Sequence, residues 1–417
     1  MKKLVLAILL VCAAGCCAFG DTDFSVLDYG AAGDGRTDCT EAFQKALDAA
    51  FAAGGGNVQV PTGSYDIKGN LVIRSGVFLV GTYQAAPTGK PDAPGQGSLL
   101  HAYAGRNRPG GRPFIELEGT NNGVKGLVID YPENDDKTAP PAPYPPCIAG
   151  YKGNKQSVID CMLLNPYEGI RLVGIGKNYI RNVSGYPAKR GIYIDKCLDI
   201  SRVENCCFRP FGQAGASDPA RGAWTGKFGV AFEFARSDWQ YVYDCFCFGY
   251  GVGYKFSRSE AGCSNGNFLG LGADGCAVGI KVEAAQASGL LITNGEFAGR
   301  RGSRDSIGVE VLPSAAGKVS LMNCSFRGPL DTCISHRGPG YLSAIGCHFE
   351  DFGRKAVSLE AGSGIIEGNT FCPGPACVDI GPKAMGAVIM GNLAEESFIV
   401  KKPAGARNIQ LLDNTPE

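Results

Sequence analysis

The residues best able to do chemistry lie on one side of a repeated strand. Short runs with apolar residues at alternate positions, such as Ile192 and Ile194, recur along the chain, so the residues between them point outward. One predicted outward column takes the equivalent residue from each run: Tyr151, Val173, Asp195, Glu233, Lys255, Lys281, Glu310 and Glu360. Such a column would bring acidic and basic groups side by side.

Asp195 and Glu233 are the candidate catalytic pair. If segment 209–226 is a loop rather than an extra winding, their carboxyl groups could be ~5 Å apart, near the separation expected for retaining glycosidases. Like charges that close raise one pKa, which gives an acid and a base or nucleophile at neutral pH. Lys255 and Lys281 could hold or neutralise a uronic acid carboxylate. The alternative is ordinary cross-strand pairing, because outward positions are polar in most sheets.

Three further residues are candidate substrate contacts. Trp224, one of two tryptophans, either stacks on a sugar ring or packs its loop onto the body of the protein. Tyr193 shares a strand with Asp195, and Arg171 lies one strand away, where it could stack on Tyr193.

Metal and histidine chemistry have weaker support. Asp135 and Asp136 could bind Ca²⁺, but a charged pair in a proline-rich loop is usually solvated. His336 and Arg337 could act as an acid and an anion clamp, although the three histidines show no partner spacing. No Cys-x-x-Cys pairs sit opposite histidines, so we expect no zinc site and assign no cofactor.

A repeated winding must position these groups. Segments that begin at Cys147, Gly169 and Gly191 are 22 residues apart. Farther on, an Asn/Gly-x-x-Phe signature ends at Phe208, Phe297, Phe326, Phe349 and Phe371. This period predicts an all-β solenoid of about ten windings, in which equivalent residues stack ~4.8 Å apart. Three connections, 85–97, 131–146 and 209–226, exceed the usual length, and such loops tend to carry function.

The cysteines predict an interior stack more than a disulfide framework. Three of the eighteen lie in the first twenty residues, which leaves an odd number. Those at one point of the repeat suit a column of small buried side chains: Cys161, Cys206, Cys245, Cys324 and Cys347. Cys372 and Cys377, around a Pro-Gly-Pro-Ala turn, are the one pair predicted to form a disulfide bridge.

The N-terminal residues predict export. Residues 1–20 read as a signal peptide with a charged start, an apolar run and a small-x-small cleavage site, although a lipoprotein anchor at Cys16 stays open. Residues 21–417 then form one domain, with a single amphipathic helix over 39–51 capping the core. No later run is long enough to span a bilayer, and zero net charge gives no sign of a nucleic-acid partner.

The stretch from Phe24 to Tyr65 carries Asp-Tyr-Gly-Ala, Gly-Asp-Gly-Arg-Thr-Asp and Gly-Gly-Gly-Asn-Val-Gln-Val-Pro-Thr-Gly-Ser-Tyr runs. It resembles the N-terminal signature of the pectate-lyase-like superfamily, and most of all the rhamnogalacturonase/epimerase-type pectate lyase domain. The resemblance implies a right-handed, three-faced parallel β-helix, with signature and cap over 24–66. It also implies activity on acidic or complex polysaccharides, in a groove along the first-strand face.

No catalytic residues transfer from that resemblance. The Asn-Thr-Asp, Gly-His-Gly and Arg-Ile-Lys motifs of polygalacturonases are missing, as is the Tyr-Gly-Phe-Asp-Pro-His run of mannuronan epimerases. Because the same fold hosts several reactions, we expect a secreted polysaccharide-active enzyme, a glycoside hydrolase ahead of a lyase. The rival is a non-catalytic glycan-binding or adhesive surface protein, and a monomer or a homotrimer both stay open.

Overall fold

A computed structural model describes residues 23–83, 97–135, 137–209, 219–406 and 408–415. The predicted signal peptide and the alternative anchor at Cys16 lie outside the described residues, as does nearly all of the first long loop. No helix in the described ranges is long and apolar enough to cross a membrane.

The described strands form a right-handed β-helix with three faces, and the pairings between successive windings are parallel. Face 1 consists of Leu71–Ile73, Ile115–Glu118, Pro146–Lys152, Glu168–Val173, Arg190–Asp195, Val230–Phe234, Val252–Phe256, Val278–Val282, Ile307–Val311, Leu330–His336 and Val400–Lys401. Face 2 consists of Asp23–Ser25, Gly56–Gln59, Val77–Val80, Asn122–Lys125, Arg202–Glu204, Gln240–Tyr243, Gly266–Leu269, Leu290–Thr293, Lys318–Met322, Tyr341–Ile345 and Ile409–Leu412. Face 3 consists of Asp34–Asp38, Gly63–Ile67, Ser98–Ala102, Leu127–Asp130, Cys207–Phe208, Phe246–Phe248, Gly272–Asp274, Glu296–Ala298, Ser325–Arg327, His348–Phe349, Thr370–Phe371 and Leu393–Ala394.

Four longer strands turn a corner and belong to two faces. Gln156–Leu164 and Tyr179–Gly185 run from face 2 into face 3, and Phe352–Glu367 and Val378–Met390 run from face 1 into face 2. The parallel β-helix expected from the sequence is therefore confirmed.

The predicted period is confirmed by the strand register. Ile148, Ile170 and Ile192 lie opposite one another on successive windings. In the later windings Phe326, Phe349 and Phe371 stack, with ring centroids 5.1 and 4.8 Å apart. Each winding thus buries its apolar side chains mainly against its neighbours.

The Asn/Gly-x-x-Phe signature marks the corner between faces 2 and 3. Its first residue adopts a left-handed backbone, with φ of 49° at Asn205, 52° at Asn323 and 63° at Gly346. Asn and Gly adopt this conformation more readily than other residues, which explains the choice of residue. Asn205 also donates a hydrogen bond of 2.8 Å to the Asn182 side chain on the preceding winding.

The residue after this turn packs inside. The predicted cysteine stack is confirmed, because five cysteines at or next to this position are at most 1% exposed: Cys161, Cys206, Cys245, Cys324 and Cys347. The predicted bridge is wrong, since Cys372 and Cys377 are both free. The Cys372 thiol instead lies 3.3 Å from the Glu395 carboxylate, and the Cys377 thiol lies 3.7 Å from the Ser397 carbonyl.

Helix α1 (Thr40–Ala52) confirms the predicted N-terminal helix, and Phe43 and Leu47 on it are buried in the core. Asp38 accepts a hydrogen bond from the Thr40 amide, 3.0 Å away, at the start of this helix. The expectation of a single helix is wrong. Helix α2 (Pro219–Phe228) begins in the third long loop, and the described residues also contain two short 3₁₀ helices, Val26–Tyr29 and Pro132–Asn134.

Candidate functional site

A ladder of outward residues on face 1 brings most of the predicted site together. The strand register aligns one residue from each of six consecutive windings: Arg171, Tyr193, Glu233, Lys255, Lys281 and Glu310. We call these residues the face 1 ladder. It contains two lysines, an arginine and two carboxylates at spacings of one strand.

The predicted column was wrong by two residues at both ends. Asp195 lies opposite Val173, whereas Glu233 lies opposite Tyr193. At the other end, Glu310 lies opposite Ser335 and Ser335 lies opposite Ser358, so Glu360 is two residues beyond the ladder position. The alternation of apolar residues leaves such a shift invisible, because a two-residue slip keeps every side chain on the same side of the sheet.

Asp195 lies on the strand next to Glu233, but its carboxylate is fully engaged. Its Oδ1 accepts hydrogen bonds from the amides of Lys196 (2.8 Å) and Arg236 (3.0 Å) and from the Ser259 hydroxyl (2.7 Å). Its Oδ2 accepts one from the Tyr193 hydroxyl at 3.3 Å. With 5% of the residue exposed, Asp195 fastens the turns that follow three neighbouring strands.

Glu233 is a nearly buried charge between two cations. Its Oε2 lies 3.0 Å from Arg190 Nε, and its Oε1 lies 3.4 Å from Lys255 Nζ. The Arg190 contact is an ion pair without the alignment of a hydrogen bond. Lys255 Nζ also lies 3.1 Å from a carboxylate oxygen of Glu283. Only 6% of the Glu233 side chain is exposed, so this charge depends on its partners.

Two guanidinium groups lie close to the Tyr193 ring. The Arg171 guanidinium carbon is 5.5 Å from the centre of the ring, and that of Arg190 is 4.8 Å away. The predicted stacking of Arg171 on Tyr193 is therefore confirmed. Burial, together with the nearby carboxylates of Asp195 and Glu233, raises the pKa of Tyr193 to about 12. The phenol therefore keeps its proton at neutral pH.

Helix α2 forms a wall beside this ladder. The Trp224 ring packs 5.3 Å from Phe228 in the same helix and 6.1 Å from Tyr167, so the packing role anticipated for Trp224 is present. Lys189 Nζ donates a hydrogen bond of 2.8 Å to the Phe228 carbonyl. Arg300 donates another to the Gly226 carbonyl. These contacts fasten the C-terminal end of the helix to the β-helix body.

A groove of about 670 Å³ runs between α2 and the face 1 strands. Glycines and alanine of the helix segment line one side, and Val252, Val278, Lys281 and Arg300 line the other. Small residues and valines make much of this lining apolar, and three cations, Lys227, Lys281 and Arg300, also line the groove. A groove with a few polar groups at its edge is the usual form of a ligand site.

Other candidates have less support. His336 is fully buried, its ring nitrogen lies 3.4 Å from the Gly340 carbonyl, and burial lowers its pKa, so a surface acid role does not fit. Arg337 pairs with Glu310 at 2.5 Å. Asp136 lies outside the described residues. The described residues contain no group of three or more His, Cys, Asp or Glu side chains placed to hold a metal ion.

The sequence interpretation missed one pairing. His101 Nδ1 lies 2.8 Å from Asp66 Oδ1, although the two residues are 35 positions apart in the chain. They occupy equivalent positions of neighbouring face 3 strands. The signal was hidden because the first long loop separates these two windings and obscures the repeat.

Comparison with known proteins agrees with this architecture. Residues 24–146 match the family model described as rhamnogalacturonase A/epimerase, pectate lyase-like. The resemblance to the pectate-lyase-like superfamily is confirmed. The A-module of mannuronan C-5 epimerase AlgE6 from Azotobacter vinelandii superposes on 91% of this chain and 100% of its own, with a TM-score of 0.54 and 15% identity. At that identity the likeness shows the fold alone.

Two curated relatives match parts of the chain. Mannuronan C5-epimerase AlgE5 of Azotobacter vinelandii is 36% identical over 117 residues, 25% of this chain and 12% of the relative. Alginate lyase 7 of the same organism is 47% identical over 66 residues, 14% of this chain and 8% of the relative. The matched region thus spans about a tenth of the length of these relatives.

Proposed function

We propose that this chain acts on an acidic polysaccharide along face 1 and transfers a proton at Tyr193. The observation that carries the proposal is the protonated phenol of Tyr193, which lies close to Arg171 and Arg190 on the strand next to Glu233. Cations beside a proton-transfer group suit a substrate that carries carboxylates. The relatives named as a mannuronan epimerase and an alginate lyase support a uronic acid polymer as the substrate class.

The reaction that this arrangement favours is elimination. A base removes the proton beside the sugar carboxyl group, the neighbouring bond to the glycosidic oxygen breaks, a C=C double bond forms, and that oxygen gains a proton. Arg171 and Lys281 would neutralise the sugar carboxylates, Glu233 would accept the carbon-bound proton, and Tyr193 would protonate the departing oxygen. The apolar groove under α2 would hold the flanking sugars.

Hydrolysis by Asp195 and Glu233 is the second candidate. In its favour, the two carboxylates lie on neighbouring strands of the same face. Against it, Asp195 already accepts four hydrogen bonds, which leaves little capacity for a substrate proton. Stacking of a sugar on Trp224, secretion through residues 1–20 and the oligomeric state stay predictions.

Product analysis tests the proposal. Wild type would be incubated with alginate and with polygalacturonate, and both reducing ends and the ultraviolet absorbance of unsaturated uronates would be followed. We expect unsaturated product, and we expect Tyr193→Phe to slow its release by about a hundredfold or more. Tyr341→Phe, at an exposed face 2 tyrosine, is the matched control and should leave the rate unchanged.

The outcomes separate the candidates. Reducing ends without unsaturation, abolished by Asp195→Asn and by Glu233→Gln in folded protein, would replace elimination with hydrolysis. Binding of the polymer with no product of either kind would favour the non-catalytic glycan binder.

A further inference from the structure

The outward side of face 2 carries almost no charge in the C-terminal windings. The strand register aligns two outward residues from each of eight successive windings, and we call these sixteen residues the face 2 patch. Its first column is Tyr241, Asn267, Leu291, Ser320, Ser343, Ile365, Val388 and Gln410. Its second column is Tyr243, Leu269, Thr293, Met322, Ile345, Glu367, Met390 and Leu412. Glu367 is the one charged member, and ten of the sixteen are tyrosine, methionine or aliphatic residues.

The N-terminal windings of the same face provide an internal comparison. Four strands there present eight equivalent outward positions, and four of them are charged: Lys125, Arg181, Arg202 and Glu204. Charged residues make up about 25–35% of an ordinary soluble surface, so sixteen positions would hold about four or five. Both halves of face 2 form the same parallel ladder, so folding does not explain the loss of charge. Depletion of charged residues is instead typical of the centre of a protein–protein interface.

The face 2 patch can be reached from solution. Met322 and Ile365 are each 44% exposed, which is a large fraction for apolar residues within a sheet. After Thr293, Met322 and Ile345, the connection to face 3 is two residues long, so on that side of these windings no loop covers the patch. Face 1, in contrast, has helix α2 as a wall. A contiguous exposed apolar surface marks a contact site.

The size of the patch suits a second copy of this chain. Eight strands ~4.8 Å apart and about five residues long cover roughly 600 Å² as a flat area, before the relief of the side chains is counted. Stable complexes bury about 800 Å² on each partner, so the patch is large enough to be the centre of such an interface.

The composition of the patch points to the same occupant. Interfaces between identical subunits are the more apolar class, at about 65% of their area. A second copy also brings the same nearly uncharged surface, so the contact would bury no cation opposite an apolar side chain. Glu367 is the last residue of its strand, at the edge of the patch, where its carboxylate can stay in contact with water.

We propose that the face 2 patch is the contact surface between two copies of this chain, which pack face 2 against face 2. The two sheets would lie ~10 Å apart, as in other sheet-on-sheet packings. The contact is isologous, because both copies use the same residues. It leaves the face 1 ladder and the groove under α2 open to solution, so this inference does not depend on the function proposed for face 1.

The test measures the mass of the full chain in solution. Size-exclusion chromatography with light scattering would be run at loading concentrations of about 1 to 100 μM, which detects micromolar association. We expect wild type to have twice the mass of one chain at the higher concentrations. Met322→Glu and Ile365→Glu should each raise the dissociation constant about a hundredfold or more, because each would bury a carboxylate against apolar side chains. The control Leu393→Glu, at a residue of face 3 that is 52% exposed, should associate as wild type does.

A wild type that stays monomeric at about 100 μM overturns the proposal. Dimers that persist in both folded face 2 variants overturn it as well, because the interface would then lie elsewhere. Binding of monomeric wild type to phosphatidylcholine vesicles, lost in Met322→Glu, would assign the patch to a membrane instead. Circular dichroism verifies folding. Should both variants fail to fold, oxidation of Met322 by hydroxyl radicals would be compared in dilute and concentrated wild type: a severalfold slower rate in the concentrated protein supports the dimer, and equal rates overturn it.

Discussion

The face 1 ladder and its continuation toward the C-terminus share one backbone and differ in side chains. Beyond Glu310, the same register continues through Ser335, Ser358 and Asp379. The face 1 ladder, or near half, buries the Glu233 carboxylate between cations. The continuation, or far half, carries two small hydroxyls and the Asp379 carboxylate, which pairs with Lys355. A parallel ladder folds with either set, so the fold does not require the charges opposite α2. Buried charges that a fold does not require point to a role in binding or chemistry.

The largest expected effect comes from removing a cation of the near half. Arg190→Met would leave the buried Glu233 carboxylate with Lys255 as its remaining ion-pair partner. We expect the free energy of unfolding to fall by about 3 kcal/mol, because the buried carboxylate loses one of its two cations. Urea titration followed by circular dichroism measures this change.

The matched control lies in the far half. Arg354 pairs with Asp331, but its side chain is 70% exposed. Arg354→Met should therefore cost less than about 1 kcal/mol. An equal fall in the free energy of unfolding for Arg190→Met and Arg354→Met would mean that the near half does not depend on its ion pairs more than the far half does.

A smaller effect is expected at Lys281, which borders the groove. Glu310, its ion-pair partner, keeps Arg337 in the variant Lys281→Met, so the fold should be retained. We expect the affinity for an acidic oligosaccharide to fall about tenfold, or ~1.4 kcal/mol. Isothermal titration calorimetry measures it. The control is Lys355→Met in the far half, where Lys355 pairs with Asp379. This variant should bind the oligosaccharide with wild-type affinity. A tenfold loss of affinity there as well would argue against a site confined to the near half.

The smallest effect is spectroscopic. Tyr193 should ionise near pH 12, and not near 10, because burial and the neighbouring carboxylates favour its neutral form. The stability that it contributes is present below pH 10 and is lost as the pH rises through about 12, since the unfolded chain loses the proton first. A rapid pH jump, with phenolate absorbance compared between wild type and Tyr193→Phe, measures the pKa. A difference signal centred near pH 10 would contradict the buried position of this phenol.

Much of the fold could be predicted because its signals are local. The run from Phe24 to Tyr65 and the spacing from Phe326 to Phe371 both follow from turns that admit few residue types. The ladder could not be aligned, because Ile192 lies opposite Phe232, yet a pairing of Ile194 with Phe232 would fit the apolar alternation equally well. The register of two strands depends on where the connecting segment ends and the second strand begins, and the sequence does not reveal that point.

Two other features lay beyond the sequence interpretation. Helix α2 has glycines at positions 222 and 226 and no regular apolar stripe, so its composition resembles that of a loop. The contact between His101 and Asp66 joins residues from separate windings across a long insertion. Such pairs become visible only when the windings are aligned in space.

The left-handed turns between faces 2 and 3 also make each winding interchangeable. The segment from Asn323 to Gly346 begins and ends in the same backbone conformation, at the same corner. Duplication or deletion of one such segment would leave the neighbouring windings in register and change the length of the molecule by ~4.8 Å. Evolution could therefore lengthen or shorten the groove one winding at a time, while the groups that do chemistry stay in place.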